Sequence, residues 1–246
     1  MMTRRWWLSG LVLVGLACSG GGTGPDFDDD DVDARILFIG NSLTYTHDVP
    51  RLVRAVASAH DRNVATVSIA LPNYALEDHW NDGIAAEIRR LKPDFVVMQQ
   101  GPSSLPESRV HLVHWTKRLA EVIREVDAVP ALYMVWPDDS RIFAFPAVEA
   151  SYATAAQEVN GVLLPAGTTW LMAWDRDETI ALYGDDGFHP SYLGALAAAY
   201  TIYAGLFDVP PATLPALDDN VPAARIALLR DAVAASLQKW EVSAAR

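Results

Sequence analysis

The chain has 246 residues, 51% of them hydrophobic and 20% charged, and a formal net charge of −12. That balance is ordinary for a globular chain and excludes a disordered, collagen-like or coiled-coil protein, with one domain or at most two small ones expected. A single cysteine excludes a disulfide framework and a cysteine-based zinc site, and the acidic balance argues against a nucleic-acid partner, because phosphate binding needs a basic face.

Residues 1–17 read as a secretory signal peptide. Arg4 and Arg5 precede an apolar stretch from Trp6 to Ala17, interrupted only by Ser9 and ending in small residues. The stretch is too short for a membrane span, which needs about 20 apolar residues. Gly15-Leu16-Ala17-Cys18 resembles a bacterial lipoprotein box, with Gly15 where Leu is usual, so Cys18 is a candidate for lipidation. Ser19 after the cysteine resembles an outer-membrane sorting pattern. Residues 18–34 read as a flexible acidic tether whose six aspartates (Asp26, Asp28, Asp29, Asp30, Asp31 and Asp33) repel one another. The expected location is therefore outside the cytoplasm: lipid-anchored to an outer membrane or cell surface, otherwise periplasmic or secreted.

Residues 35–246 are expected to form one domain in which strands and helices alternate. Arg35–Ile39 is a short apolar run ending at Gly40, the pattern of a buried strand. Val49–His60 has helical spacing, Asn63–Ala70 is a strand, and Leu76–Leu91 is a helix stopped by Pro93. Asp94–Met98 is a third strand, Pro106–Val126 a long helix, and Ala131–Trp136 a fourth strand. A helix over Phe145–Val159 precedes a short fifth strand at Val162–Leu164. Helices over Ser191–Phe207 and Ala223–Glu241 follow, joined by a proline-rich surface crossing, Pro210–Pro222. No internal repeat is evident. This alternation predicts a three-layer α/β/α sandwich around a parallel sheet of about five strands.

Ligands of such sheets sit outside the carboxyl ends of the strands. There the chain carries Gly40-Asn41-Ser42, Pro72-Asn73-Tyr74, Gln99-Gln100-Gly101, Trp136-Pro137-Asp138-Asp139 and, later, Asp185-Asp186-Gly187-Phe188-His189-Pro190. A serine becomes a nucleophile when a base takes its proton, and an acid fixes the base. Ser42, His189 and Asp186 are the candidates, with Gly40 expected to permit a tight turn beneath the serine. Asp185 competes with Asp186, and the three-residue spacing to His189 favours Asp186. His111 and His114 stand one helical turn apart without an evident third metal ligand. His79 reads as a surface or rim residue. Trp136 is a candidate for the substrate cleft, because it ends a strand on the active edge, and the beside-lying Asp138 and Asp139 read as solvated.

Gly40-Asn41-Ser42-Leu43 and Asp186-Gly187-Phe188-His189 together resemble the first and last blocks of the SGNH, or GDSL-like, hydrolases, over about residues 35–207. The resemblance implies a flavodoxin-like fold and ester hydrolysis through an acyl-serine, with catalytic Ser42, Asp186 and His189. It also implies an oxyanion hole. The backbone N–H of Ser42 and of Asn73 would serve it, since Pro72 has no N–H. The family's third block carries an asparagine where this chain has Gln99-Gln100, and Gln100 is favoured as the replacing amide, with Gln99 as rival and possible cleft residue. The expected substrate is a carboxylic ester, an acetyl or short acyl group on a carbohydrate or small molecule, with no cofactor and no metal. The only membrane contact expected is the anchor at Cys18. The missing asparagine keeps an alternative open: a catalytically weak, surface-tethered binding protein on the same scaffold.

Overall fold

The computed structural model describes residues 26, 27 and 31–241. The signal segment, Cys18 and most of the tether lie outside the described residues. What is described of the acidic segment is held to the body. Phe27 packs against the core, Asp26 pairs with Arg90, and Asp33 accepts a hydrogen bond from the Asn63 N–H at 2.8 Å. The spacer reading therefore does not extend to residue 34, which already belongs to the sheet.

Five strands form one parallel sheet: β1 (Ala34–Gly40), β2 (Val64–Ala70), β3 (Phe95–Met98), β4 (Val129–Tyr133) and β5 (Val162–Leu164), in the order β2-β1-β3-β4-β5. The register aligns Gly40 with Ala70 on one side and Ile39 with Met98 on the other. β1 is an interior strand, paired on both sides, and its last five residues, Ile36 to Gly40, are all buried. That burial is why its sequence is a continuous apolar run rather than an alternation.

The helices are α1 (Ser42–Tyr45), α2 (Val49–Ser58), α3 (Leu76–Asn81), α4 (Ile84–Leu91), α5 (Pro106–Glu125), α6 (Phe145–Glu158), α7 (Ala166–Trp174), α8 (Tyr192–Phe207) and α9 (Ala223–Lys239). α3, α4, α5 and α6 pack in succession on one another, and α2, α7, α8 and α9 form a second group. Right-handed crossovers explain the division: the chain steps from β1 one way to β2, then the other way through β3, β4 and β5. α8 is apolar all round, with Gly194–Leu206 wholly buried, as expected of a helix sandwiched between neighbours on every side.

Three local expectations are corrected. The helix expected over Leu76–Leu91 is two helices, broken at Asp82-Gly83, where Gly83 takes φ +85°. The fourth strand ends at Tyr133 rather than Trp136. An unexpected helix, α7, follows β5; it carries Trp170 and Trp174.

Candidate active site

The strand order changes direction between β1 and β3, and the crevice of a sheet opens at that switch point. Ser42 follows β1, and Gln99 and Gln100 follow β3, so the serine and the two amides flank it.

The turn bearing Ser42 is built by hydrogen bonds. Asn41 caps α1, its Oδ1 accepting from the Leu43 N–H at 3.1 Å, while its Nδ2 donates to the Tyr74 carbonyl at 3.0 Å. Gln99, fully buried, clamps the same residue: its Oε1 accepts from the Asn41 N–H and the Thr44 hydroxyl, and its Nε2 donates to Asn41 Oδ1. Gly40 permits this clamp by its missing side chain. A Cβ there would sit 2.4 Å from Thr44 Oγ1 and 2.6 Å from Gln99 Oε1. Its φ is not positive, so the expected reason, a tight turn, is replaced by one of space. The Gly40 carbonyl accepts from Nε2 of His79 at 2.8 Å. His79 is buried, and burial pushes its pKa below the ordinary 6.5 despite that bond, so the ring is a neutral brace under the turn that bears Ser42 rather than a rim residue.

The late loop supplies a fixed imidazole. His189 Nδ1 lies 2.5 Å from Asp186 Oδ2, and Asp186 Oδ1 accepts from the backbone N–H groups of Phe188 and His189 at 3.0 and 2.9 Å. The imidazole hydrogen bond first, then the two backbone donors, push the Asp186 carboxyl down to about 2. A carboxylate only accepts, so Nδ1 carries the proton and Nε2 is left as the basic atom. Asp185 is exposed, and it is Asp186 that hydrogen-bonds the ring.

Several contacts hold this loop. Gly184 N–H donates to the His189 carbonyl at 2.8 Å, Tyr183 bridges to Pro190, and Asp139 N–H donates to the Gly187 carbonyl at 2.8 Å. Gly187 has φ +68°, and a Cβ on it would meet the Asp139 carboxylate at 2.4 Å. Asp139 is thus a packing partner of the loop. Trp136 is a correction of the same kind: it is fully buried and stacked on Trp170 with ring centroids 3.6 Å apart. It lines no cleft; its Nε1 donates to the Phe188 carbonyl at 3.0 Å. Gln99, buried with its amide engaged, is not a cleft residue either.

Ser42, Asn73, Gln100, Ser103, His111 and Phe188 line one cleft of about 360 Å³. Asn73 stands on its wall at φ +62°, a conformation asparagine tolerates. Gln100 Nε2 donates to Ser103 Oγ at 2.8 Å and Oε1 accepts from the Leu76 N–H at 3.2 Å, so one amide N–H remains for a ligand. Tyr152, buried, fixes its backbone: the hydroxyl donates to the Gln100 carbonyl at 2.6 Å. Asp186 and His189 are not among the residues lining this cleft; Phe188, the residue before the imidazole, is. Among the described residues no hydrogen bond links Ser42 Oγ to His189; catalytic hydrogen bonds often tighten only when substrate binds. Nor, among them, does any group of three His, Cys, Asp or Glu side chains suit a metal ion.

No protein-family model matches the sequence, and no curated protein is similar to it. Thirty-eight chains of known structure do match. A DUF4886-family protein from Bacteroides uniformis superposes with a TM-score of 0.70 at 15% identity, over 86% of this chain and 97% of that one. A protein assigned to the SGNH hydrolases from Slackia heliotrinireducens gives a TM-score of 0.58 at 24% identity, over 69% and 97%. The psychrotrophic esterase EstA from a Pseudoalteromonas species gives 0.50 at 15% identity, over 86% and 100%. The fold of this chain is the SGNH hydrolase fold.

Proposed function

We propose that this chain is a serine esterase of the SGNH type. One observation carries the reading: the paired Asp186 and His189 sit on a loop whose Phe188 borders the cleft that also holds Ser42, Asn73 and Gln100. In the first half-reaction Ser42 Oγ attacks the ester carbonyl carbon and passes its proton to His189 Nε2. The oxyanion is met by the backbone N–H groups of Ser42 and Asn73 and the remaining amide N–H of Gln100. Collapse expels the alcohol, which takes the proton from His189 and leaves an acyl-serine. Water, deprotonated by the same imidazole, then releases the acid and restores Ser42. Asp186 holds the ring and its developing charge throughout.

The substrate we propose is an acetyl or short acyl ester on a carbohydrate, met outside the cytoplasm. The signal-like residues 1–17 support export, and Cys18 supports a lipid anchor, to be read by mass spectrometry of the mature amino terminus. The purified protein should hydrolyse p-nitrophenyl acetate, and Ser42→Ala should lower the rate by roughly 10⁴-fold or more, as loss of a triad member does. Equal rates in both would leave a binding protein on a hydrolase scaffold.

A further inference from the structure

The cleft beside Ser42 has a second polar end. His111, in the second turn of α5, lines it, and its Nε2 lies 2.9 Å from Glu77 Oε2 on α3. The carboxylate only accepts, so Nε2 donates to it, and Nδ1 is the ring nitrogen left for a ligand hydroxyl. Both side chains are partly exposed, at 33% and 46%. A pair that open contributes little to stability, so its place on the wall of the nucleophile's cleft is the feature to explain.

The neighbouring polar groups complete a pattern. Ser103 and Ser108 line the same cleft. Asn73, exposed, brings a side-chain amide with both a donor and an acceptor. These few polar groups stand in an otherwise mostly apolar cleft of about 360 Å³, more room than a short acyl group needs. The cleft suits a ring whose hydroxyls each donate and accept. We infer that His111, oriented by Glu77, is a specificity-determining residue that accepts a hydrogen bond from a sugar hydroxyl near the scissile ester. This rests on the esterase reading and adds to it the groups that select the substrate.

The test is steady-state kinetics of the full protein, His111→Ala, Glu77→Ala and Glu77→Gln on two acetates: a mono-O-acetylated methyl xyloside with free hydroxyls, and p-nitrophenyl acetate, which has none. Both alanine variants should raise KM for the xyloside about fivefold to tenfold, the scale of one neutral hydrogen bond, with kcat much less affected. The phenyl ester should lose less than half as much. Glu77→Gln, whose amide oxygen still accepts from Nε2, should recover most of the parent KM. Equal losses on both esters, or an unchanged KM for the xyloside, would overturn the assignment and leave the pair a tie between α3 and α5. If the parent turns over neither ester, the esterase reading fails separately. The subsite is then read by calorimetric titration of methyl xyloside: binding weakened fivefold or more in His111→Ala supports it, and equal or absent binding overturns it.

Discussion

Gln99 and Gln100 are neighbours of the same residue type with opposite employments. The amide of Gln99 is consumed in holding Asn41 and Thr44, whereas Gln100 faces the cleft and keeps one donor. Gln100→Ala should therefore lower kcat by roughly 10²–10³-fold, the usual loss of one oxyanion donor, with little change in KM. Asp186 is distinguished from Asp185 by contact with the imidazole. Asp186→Asn should keep the fold and lower kcat by roughly 10⁴-fold, because an amide no longer dictates the tautomer. With its carboxyl held near 2, Asp186 remains ionised throughout the working range, so an acid limb in the pH–rate profile does not report its titration. A residue list read from the chain could nominate these side chains, but it could not say which amide or carboxylate was already spent.

Among the elements, the loop after Tyr183 is positioned by parts of the molecule distant from it in sequence. Trp136 reaches it from the end of β4, and α7 supplies Trp170 to stack beneath Trp136. Trp136→Phe would leave the Phe188 carbonyl without its indole donor while filling most of the space. The expected result is a stability loss of about 1–3 kcal/mol in denaturant unfolding, and a kcat lower by roughly tenfold to a hundredfold, since small misplacements of a base are costly. The sequence misled here because a tryptophan at the end of a strand on the active edge resembles a platform for a ligand. Whether such a ring faces outward depends on what packs over it, and α7 does so from a part of the chain read as connection. The break between α3 and α4 was hidden for a related reason: the apolar spacing continues across Asp82-Gly83, and only the backbone turn separates the two axes.

For the whole molecule, the parallel order β2-β1-β3-β4-β5 brings residue 42 and residues near 100 and 188 to one edge of the sheet. Under that edge the buried His79 supports Gly40 as a neutral ring. Its folded pKa lies below the unfolded one, so the unfolded chain binds the proton more readily. The stability it contributes is then intact above about pH 6.5 and is lost as the pH falls below that value. Denaturant unfolding between pH 8 and pH 5 should show this decline, and His79→Asn should flatten it while lowering stability at pH 8. No change of slope in the variant would mean that another group carries the dependence.

Apolar runs of the right length, interrupted by glycine and proline, determined that this chain alternates strands and helices and hence that its sheet is parallel, because those signals are local. Gly40-Asn41-Ser42 and Asp186-Gly187-Phe188-His189 were likewise legible as candidate blocks, and the three-residue spacing already favoured Asp186 as the partner of His189. The tertiary structure alone decided the uses of those and neighbouring side chains: the clamp at Gln99, the brace at His79, the buried stack at Trp136, the facing pair His111 and Glu77. Each of these is a contact across at least thirty residues, and whether a polar group is free for chemistry depends on partners that adjacency along the chain does not reveal.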